Sequence, residues 1–129
     1  MKKRILVLDD NNDILAVLED VLSHEGFEAI TVDYTEDFLA LVRFYRPDLI
    51  LLDFSLNGEN GGVLCTRLKN DPEFAGTPVI IFSAFSNRGF QKGTYGCDYF
   101  INKPFDLVDL IASIRMLTVQ EPVKPGIER

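Results

Sequence analysis

Acidic side chains follow two short apolar segments of this chain, at the points where those segments end. Asp9 and Asp10 come directly after residues 5–8, and Asp53 comes directly after residues 49–52. Carboxylate oxygens are ligands that Mg²⁺ prefers, and three anions held close together repel one another unless a cation sits among them. A carboxylate beside such a cation is a candidate nucleophile toward phosphorus. The three acids therefore predict a magnesium-assisted phosphoryl site, provided that the fold brings them together.

Two more apolar segments end in groups that complement the acids. Ser83 follows residues 79–82, and Lys103 follows residues 99–101 after one intervening residue. The Lys103 ammonium, the Ser83 hydroxyl and a bound metal ion could together hold the three equatorial oxygens of a transferring phosphoryl group. A lone acid after a strand is most often only a turn former or a helix cap. Matching groups at the ends of four separate segments favour a functional site over that simpler interpretation.

The segments that must position these residues alternate between two apolar patterns. Short apolar runs, typical of strands buried in a parallel sheet, occupy residues 5–8, 29–32, 49–52, 79–82 and 99–101. Stretches with helical spacing lie between or after these runs, with N-caps predicted at Asn11 or Asn12, at Thr35 and at Asp106. Repeated alternation of strand and helix is typical of a parallel sheet with helices on both faces.

This alternation predicts an α/β fold, a doubly wound five-stranded parallel sheet of the flavodoxin-like (βα)5 type. Five strands of this kind usually take the order 2-1-3-4-5, which places the first and third strands side by side. Asp9, Asp10 and Asp53 should then converge on one pocket, with Ser83 and Lys103 on its far wall. Ligands bind beyond the carboxyl ends of the strands in such sheets, so the residues at those ends are the candidate site.

The fourth helix of this pattern is predicted to be short or frayed. Residues 85–97 contain three glycines, and each glycine destabilises a helix by about 1 kcal/mol relative to alanine. Residues 119–129 contain two prolines and few apolar side chains, which is typical of a tail or a linker. The predicted organisation is one domain over residues 1–118, followed by a C-terminal tail or linker stub over residues 119–129.

Composition disfavours several classes of function. The chain has 129 residues, 47% hydrophobic and 26% charged, which is the balance of a single globular domain with a buried core. Its formal net charge of −7 disfavours nucleic acid and anionic membrane as partners, because both are polyanions. No apolar run approaches the length of a bilayer span. Two cysteines are too few for a disulfide-stapled fold and fit a reducing compartment, so a cytoplasmic location is predicted.

Together these segments resemble the receiver domain of two-component response regulators, the CheY-like family. The resemblance extends from about Lys3 to Thr118. It rests on four motifs, which are ILVLDD at residues 5–10, PDLILLD at 47–53, IIFSA at 80–84 and FINKPF at 100–105. None of these motifs is specific alone, but the combination of four is.

The resemblance implies a role for each acid. Asp53 would be the phosphoacceptor. Asp9 and Asp10 would organise Mg²⁺ together with Asp53, and the main-chain carbonyl of Ser55 would complete the metal ligands that the protein supplies.

The resemblance also implies roles for the groups at the last two strands. Ser83 stands where the family has the Ser or Thr whose hydroxyl follows the phosphoryl group, and Lys103 stands at the family's lysine. The peptide bond between Lys103 and Pro104 is expected to be cis. Phe100 matches the family's aromatic switch residue, and because it has no hydroxyl, we expect switching to depend on packing of its ring.

The partners that the resemblance implies are proteins. The phosphoryl donor would be a phosphohistidine of a sensor histidine kinase or of a histidine phosphotransfer protein. The domain would catalyse its own Mg²⁺-dependent phosphorylation and its slow dephosphorylation. It would then signal through Ser83 and Phe100 to an output protein or output domain whose identity the sequence does not provide. Neither nucleic acid nor membrane is an expected partner of this domain.

Three alternatives stay open at this point. A haloacid-dehalogenase-type phosphatase would use Asp9 as its nucleophile, but it requires a second Asp where this chain has Asn11. A flavodoxin-like flavin binder shares the sheet order, although Asp9 and Asp10 would repel the phosphate of a flavin. The third alternative is a receiver fold that binds partners without being phosphorylated, and the intact set of acids argues against it.

Overall fold

The apolar runs form parallel strands of one sheet in the computed structural model, which describes residues 2–56, 60–83 and 94–119. The strands are β1 (Arg4–Leu8), β2 (Glu28–Val32), β3 (Leu49–Asp53), β4 (Val79–Ser83) and β5 (Tyr99–Asn102). Their order is β2-β1-β3-β4-β5, which confirms the predicted order and places β1 beside β3. Strands β3 and β4 each extend one residue beyond the apolar runs predicted at 49–52 and 79–82. Asp53 and Ser83 are therefore the last residues of these strands and are paired within the sheet.

Helices cover both faces of the sheet. Among the described residues they are α1 (Asn12–His24), α2 (Phe38–Tyr45), α3 (Gly61–Lys69) and α4 (Leu107–Val119). Strand side chains alternate between the two faces, so one set packs with α2 and α3 and the other with α1 and α4. Strands β3 and β4 are buried at every position, which explains why their sequences are continuously apolar up to the residue at the strand end.

The helix starts follow local capping chemistry, with one correction. Oδ1 of Asn11 accepts hydrogen bonds from the main-chain amides of Asp13 and Ile14, so Asn11 caps α1. The predicted cap of α2, Thr35, was wrong, because the residue that caps α2 is Asp37. Oδ1 of Asp37 accepts from the amide of Ala40 at 3.0 Å, whereas the Thr35 hydroxyl accepts from the amide of Asp37, one turn before the helix.

Helix α4 begins as its sequence predicts. Oδ1 of Asp106 accepts a hydrogen bond from the main-chain amide of Val108 at 2.8 Å, which satisfies one of the amides at the start of the helix. The helix spans Leu107–Val119 and so includes the first residue of the predicted tail, and the division into domain and tail stays a prediction. Residues 120–129 lie outside the described part of the chain.

The segment of the predicted fourth helix is described only over residues 94–97. There Thr94–Gly96 forms a single 3₁₀ turn, with left-handed backbone at Tyr95 (φ 59°) and Gly96 (φ 78°). The rest of the predicted helix lies outside the described residues. Across residues 2–56, 60–83 and 94–119, no helix combines the length and apolarity that crossing a bilayer requires.

Candidate functional site

Three acids meet at the carboxyl ends of β1 and β3, the neighbouring strands that the sheet order places together. Asp9 and Asp53 are buried, at 0% and 5% exposure, and Asp10 is the more exposed of the three. One carboxylate oxygen from each acid lies within 4.8 Å of the oxygens of the other two. The convergence of Asp9, Asp10 and Asp53 that strand order predicts is therefore present in the structure.

Lys103 lies directly against two of these acids. Its Nζ is 3.0 Å from Oδ2 of Asp9 and 3.3 Å from Oδ1 of Asp53, and its side chain is only 15% exposed. The main-chain amide of Lys103 donates to the carbonyl of Ser83 at 2.7 Å, which ties the end of β5 to the end of β4. The peptide bond between Lys103 and Pro104 is cis.

The start of α1 holds the deepest acid in place. The main-chain amide of Asn11 donates to Oδ1 of Asp9 at 2.9 Å, while Oδ2 of Asp9 accepts from Lys103. Asn11 is also the N-cap of α1, so one residue fixes both the helix start and the orientation of Asp9. The capping role was predictable from the residue type, but the contact with Asp9 depends on the turn between β1 and α1.

The Asp53 carboxyl lies in an unfavourable setting for an anion. Burial raises its pKa from 3.8 to about 6, with a further contribution from the negative charge of Asp9. The ammonium of Lys103 and a hydrogen bond from the backbone of Ser55 oppose this rise. One lysine does not neutralise three acids, so additional positive charge at this site would stabilise the ionised carboxylate.

The donor set fits a hard divalent cation. Asp9, Asp10 and Asp53 offer carboxylate oxygens, the ligand type that Mg²⁺ selects, and their combined charge exceeds that of Lys103.

Gly61 closes the loop after Asp53, since its amide donates to the carbonyl of Phe54 at 2.7 Å. A Cβ at position 61 would collide with the main-chain carbonyl of Asp53, so only glycine fits there.

Ser83 and Phe100 lie on neighbouring strands at the same end of the sheet. Ser83 is buried and pairs with Asn102 in the β4–β5 register, two residues after Phe100. Side chains two residues apart on a strand share a face, so both residues point toward the α2 and α3 side. There the half-buried Phe100 packs against the core beneath those helices, whereas Tyr99 is exposed.

One contact of the site was missed in the sequence. The Nζ of Lys103 lies 4.9 Å from the ring centroid of Phe82, a residue predicted only as part of a buried strand. The alternation of side chains along the strands could have indicated this contact. Phe82 is the register partner of Asp53, so the two side chains project from the same face of the sheet. Phe105 packs edge-on against the Phe82 ring, with centroids 5.7 Å apart.

Comparison with known proteins identifies the family. The model of the response regulator receiver domain matches residues 5–115. The chain belongs to this family. The match confirms the resemblance found in the sequence motifs, and it leaves the phosphatase and flavin-binding alternatives without support.

Curated relatives of this receiver are longer proteins. It is 38% identical over 120 residues to the response regulator PleD of Caulobacter vibrioides, covering 92% of this chain and 26% of that protein. It is 36% identical over 120 residues to the DNA-binding response regulator MtrA of Mycobacterium tuberculosis, covering 89% of this chain and 50% of that protein. The chain thus spans between about a quarter and about half of the length of these relatives.

Solved structures agree with the fold. The signal receiver domain of a histidine kinase from Syntrophus aciditrophicus is 25% identical, with a TM-score of 0.82 over 97% of this chain and 99% of that one. NtrX from Brucella abortus is 30% identical, with a TM-score of 0.79 over 92% of this chain and 27% of that one. These similarities support a CheY-like receiver fold for nearly the whole of this chain.

Proposed function

We propose that this receiver accepts a phosphoryl group on Asp53, in a Mg²⁺-dependent reaction, from the phosphohistidine of a sensor histidine kinase or phosphotransfer protein. The observation that carries the proposal is the setting of the Asp53 carboxylate. It is buried beside Asp9 and Asp10, and its Oδ1 lies 3.3 Å from the ammonium of Lys103. This is one nucleophilic carboxylate with a cation at hand and two further acids suited to hold a metal ion.

In the proposed reaction an oxygen of Asp53 attacks phosphorus, and a P–O bond forms as the P–N bond to the donor histidine breaks. The electron pair of the P–N bond stays on the imidazole nitrogen, which takes up a proton. Asp9, Asp10, Asp53 and the Ser55 carbonyl would hold Mg²⁺, whose chemistry is to neutralise charge on the phosphoryl oxygens. Lys103 would face one phosphoryl oxygen, and the Ser83 hydroxyl would donate to another.

The acyl phosphate would then change the surface near Ser83 and Phe100. Ser83 would donate to the new phosphoryl group and follow it, and its displacement would leave room for the Phe100 ring to repack on the α2 and α3 side. Because Phe100 has no hydroxyl, the change is one of ring packing without a new hydrogen bond. Slow hydrolysis of the acyl phosphate by water would return Asp53 to its free carboxylate.

We further propose that the signal passes to an output protein or to an output domain. The greater length of the curated relatives supports an output domain as one form of this arrangement. The formal net charge of −7 argues against direct contact of this domain with nucleic acid or anionic membrane. The proposed location is the cytoplasm, where such kinases present their phosphohistidines.

Intact mass spectrometry tests the central step. The parent protein is incubated with acetyl phosphate, with and without Mg²⁺, beside Asp53→Asn and Asp9→Asn. We expect a single phosphoryl adduct on the parent that requires Mg²⁺ and is absent from Asp53→Asn. Asp20→Asn, an exposed acid on α1, serves as the matched control and should be phosphorylated like the parent.

Two results would contradict the proposal. An adduct that persists in Asp53→Asn but is lost in Asp9→Asn would make Asp9 the nucleophile, as in the phosphatase alternative. No adduct under any condition, with acetyl phosphate or with a phosphorylated histidine phosphotransfer protein, would leave a receiver that binds partners without phosphorylation.

A further inference from the structure

The ammonium of Lys103 has an aromatic ring beneath it as well as carboxylates beside it. Its Nζ lies 4.9 Å from the centroid of the Phe82 ring, within the range of about 6 Å over which a ring face attracts a cation. Phe82 is 1% exposed and the Lys103 side chain 15%, so water competes little for the cation at this point. Such attraction is stronger at desolvated positions than at exposed ones.

The Phe82 ring is anchored independently of the lysine. Phe82 is the register partner of Asp53, and its carbonyl accepts a hydrogen bond from the amide of Phe54 at 2.8 Å. Phe105 packs edge-on against the ring from the segment after Lys103. The ring is therefore fixed by the sheet and by the core, whereas the lysine reaches it on a flexible four-carbon side chain.

We propose that Phe82 is a positioning residue for phosphorylation, a role that rests on the proposed function of Asp53. The ring face holds the ammonium of Lys103 at the place between Asp9 and Asp53 where a phosphoryl oxygen arrives. Asp9 and Asp53 also attract the ammonium, at 3.0 and 3.3 Å, but Asp53 changes its charge distribution when its oxygen bonds to phosphorus. The ring keeps its attraction throughout, because the phenyl group takes no part in the reaction.

The decisive experiment changes the charge distribution of the ring with only a small change in its size. Phenylalanine, 4-fluoro-, 3,5-difluoro- and 3,4,5-trifluorophenylalanine are placed at position 82 by nonsense suppression. Each fluorine weakens the negative potential on the ring face, which is the source of the attraction. We expect the rate constant for phosphorylation by acetyl phosphate and Mg²⁺ to fall stepwise along the series, by roughly threefold to tenfold in total.

A matched series at Phe27 is the control. Phe27 is also buried and also lies under a cation, with Cζ of Arg115 5.2 Å from its ring centroid. It precedes β2, at the amino end of the sheet and away from the site. Fluorination of Phe27 should leave the phosphorylation rate unchanged, because it perturbs a similar contact that does not reach Lys103.

An NMR signature tests the contact without any phosphorylation. Protons on the carbon next to Nζ of Lys103 should show an upfield ring-current shift in the parent and in Phe27→Leu. That shift should be lost in Phe82→Leu, which keeps an apolar side chain but removes the ring.

The outcomes separate this inference from the function on which it rests. A parent that is phosphorylated on Asp53, with a flat fluorination series at position 82, overturns the positioning role and leaves the proposed function intact. Absence of the ring-current shift overturns the contact itself. A parent that is never phosphorylated overturns the proposed function and, with it, the role of Phe82.

Discussion

Two lysines in the described part of the chain have similar distances and burial but different surroundings. The Nζ of Lys103 is 3.0 Å from Oδ2 of Asp9, and the Nζ of Lys69 is 3.0 Å from Oδ2 of Asp98. Their side chains are 15% and 17% exposed. The length of an ion pair and the burial of its lysine therefore do not distinguish a structural lysine from one at a site for chemistry, although Asp98 is 36% exposed and Asp9 is fully buried.

Neutral oxygens complete the surroundings of Lys69. Its ammonium also donates to the main-chain carbonyls of Ala75 and Thr77, at 3.3 and 2.7 Å. Asp98 in turn accepts a hydrogen bond from the amide of Val79 at the start of β4. The three donors of the ammonium thus have acceptors, and the pair joins α3 to the segment before β5 as a structural link.

Lys103 has an excess of negative charge around it. Asp9 and Asp53 both lie within 3.3 Å of its Nζ, and Asp10 contributes a third carboxylate. Burial and the charge of Asp9 raise the pKa of Asp53 to about 6. Carboxyls with a perturbed pKa concentrate at functional sites. Here the excess of negative charge favours the binding of a further cation.

The two lysines should differ most in their effect on the rate of phosphorylation, which we expect to fall strongly in Lys103→Met. The substitution removes the cation that faces Asp9 and Asp53. Loss of one such electrostatic group typically reduces a rate by roughly 10²- to 10³-fold. Time courses of the phosphoryl adduct by intact mass, with acetyl phosphate and Mg²⁺, provide the measurement. Lys69→Met is the matched control and should keep the parent rate; equal losses in both variants would remove the distinction between the two lysines.

The second largest effect is expected on stability. In EDTA, without divalent cations, Asp53→Asn should be more stable than the parent by an amount that depends on pH. The rise in the pKa of Asp53 from 3.8 to about 6 corresponds to at most about 3 kcal/mol. Below about pH 4 the carboxyl is protonated in the folded and unfolded states, so parent and variant should be equally stable. Between about pH 4 and about pH 6 the carboxyl is ionised in the unfolded parent but still protonated in the folded one, so the parent loses this stability and the variant does not.

Urea denaturation across this pH range measures the gap between the two proteins. Adding Mg²⁺ above pH 6 should narrow the gap, because the cation stabilises the Asp53 carboxylate of the parent alone. Asp20→Asn, with an exposed carboxyl, should show no such gap. A gap that does not change with pH would contradict the electrostatic origin of the effect.

A smaller effect is expected on stability in Lys69→Met. The substitution removes the ammonium donor from the carbonyls of Ala75 and Thr77 and from Asp98, which keeps only its hydrogen bond from the Val79 amide. Hydrogen bonds to charged groups contribute about 1.5–3 kcal/mol, and we expect the lower end, about 1.5 kcal/mol, because these acceptors are exposed or only partly buried. The free energy of unfolding in urea should fall by that amount, while Lys2→Met at the exposed N-terminal end should leave it unchanged. Unaltered stability in Lys69→Met would argue against the structural role of this lysine.

The smallest effect is expected for an ion pair exposed to solvent. The Nε of Arg4 lies 3.2 Å from Oε1 of Glu28, and the two side chains are 37% and 49% exposed. Solvent screening limits such pairs to about 0–1 kcal/mol. Glu28→Gln should therefore change the free energy of unfolding by less than Lys69→Met does. A larger change in Glu28→Gln would show that exposure does not rank the ion pairs of this protein.

Local chemistry made much of the fold predictable. The continuously apolar runs identified the strands, and their alternation with helical stripes predicted the sheet order that the structure has. The cap of α1 was narrowed to Asn11 or Asn12, because either side chain can accept hydrogen bonds from the first amides of a helix, and the structure has Asn11. The cap of α2 was predicted wrongly, since Thr35 and Asp37 both have suitable oxygens and only the path of the backbone selects Asp37.

The members of the candidate site and their convergence could be predicted, but the contact between Lys103 and the ring of Phe82 could not. The acids and Lys103 were identifiable because each follows a strand whose end faces the same edge of the sheet. The ring of Phe82 beneath Lys103 was not, because the sequence pattern marks Phe82 only as an apolar residue of a buried strand. Its position relative to the ammonium depends on β4 and β5 packing together, which no local pattern contains.

Residue types and short-range patterns were enough to locate the strands and helices and to identify the chemical groups at the strand ends. Those features depend on residue type and on periodicities of two and 3.6 residues, which are local. The tertiary structure alone sets the distances at which Lys103 meets Asp9, 94 residues away, and Lys69 meets Asp98, 29 residues away. It also decided the raised pKa of Asp53, because burial and the nearness of other charges arise only when distant segments pack together.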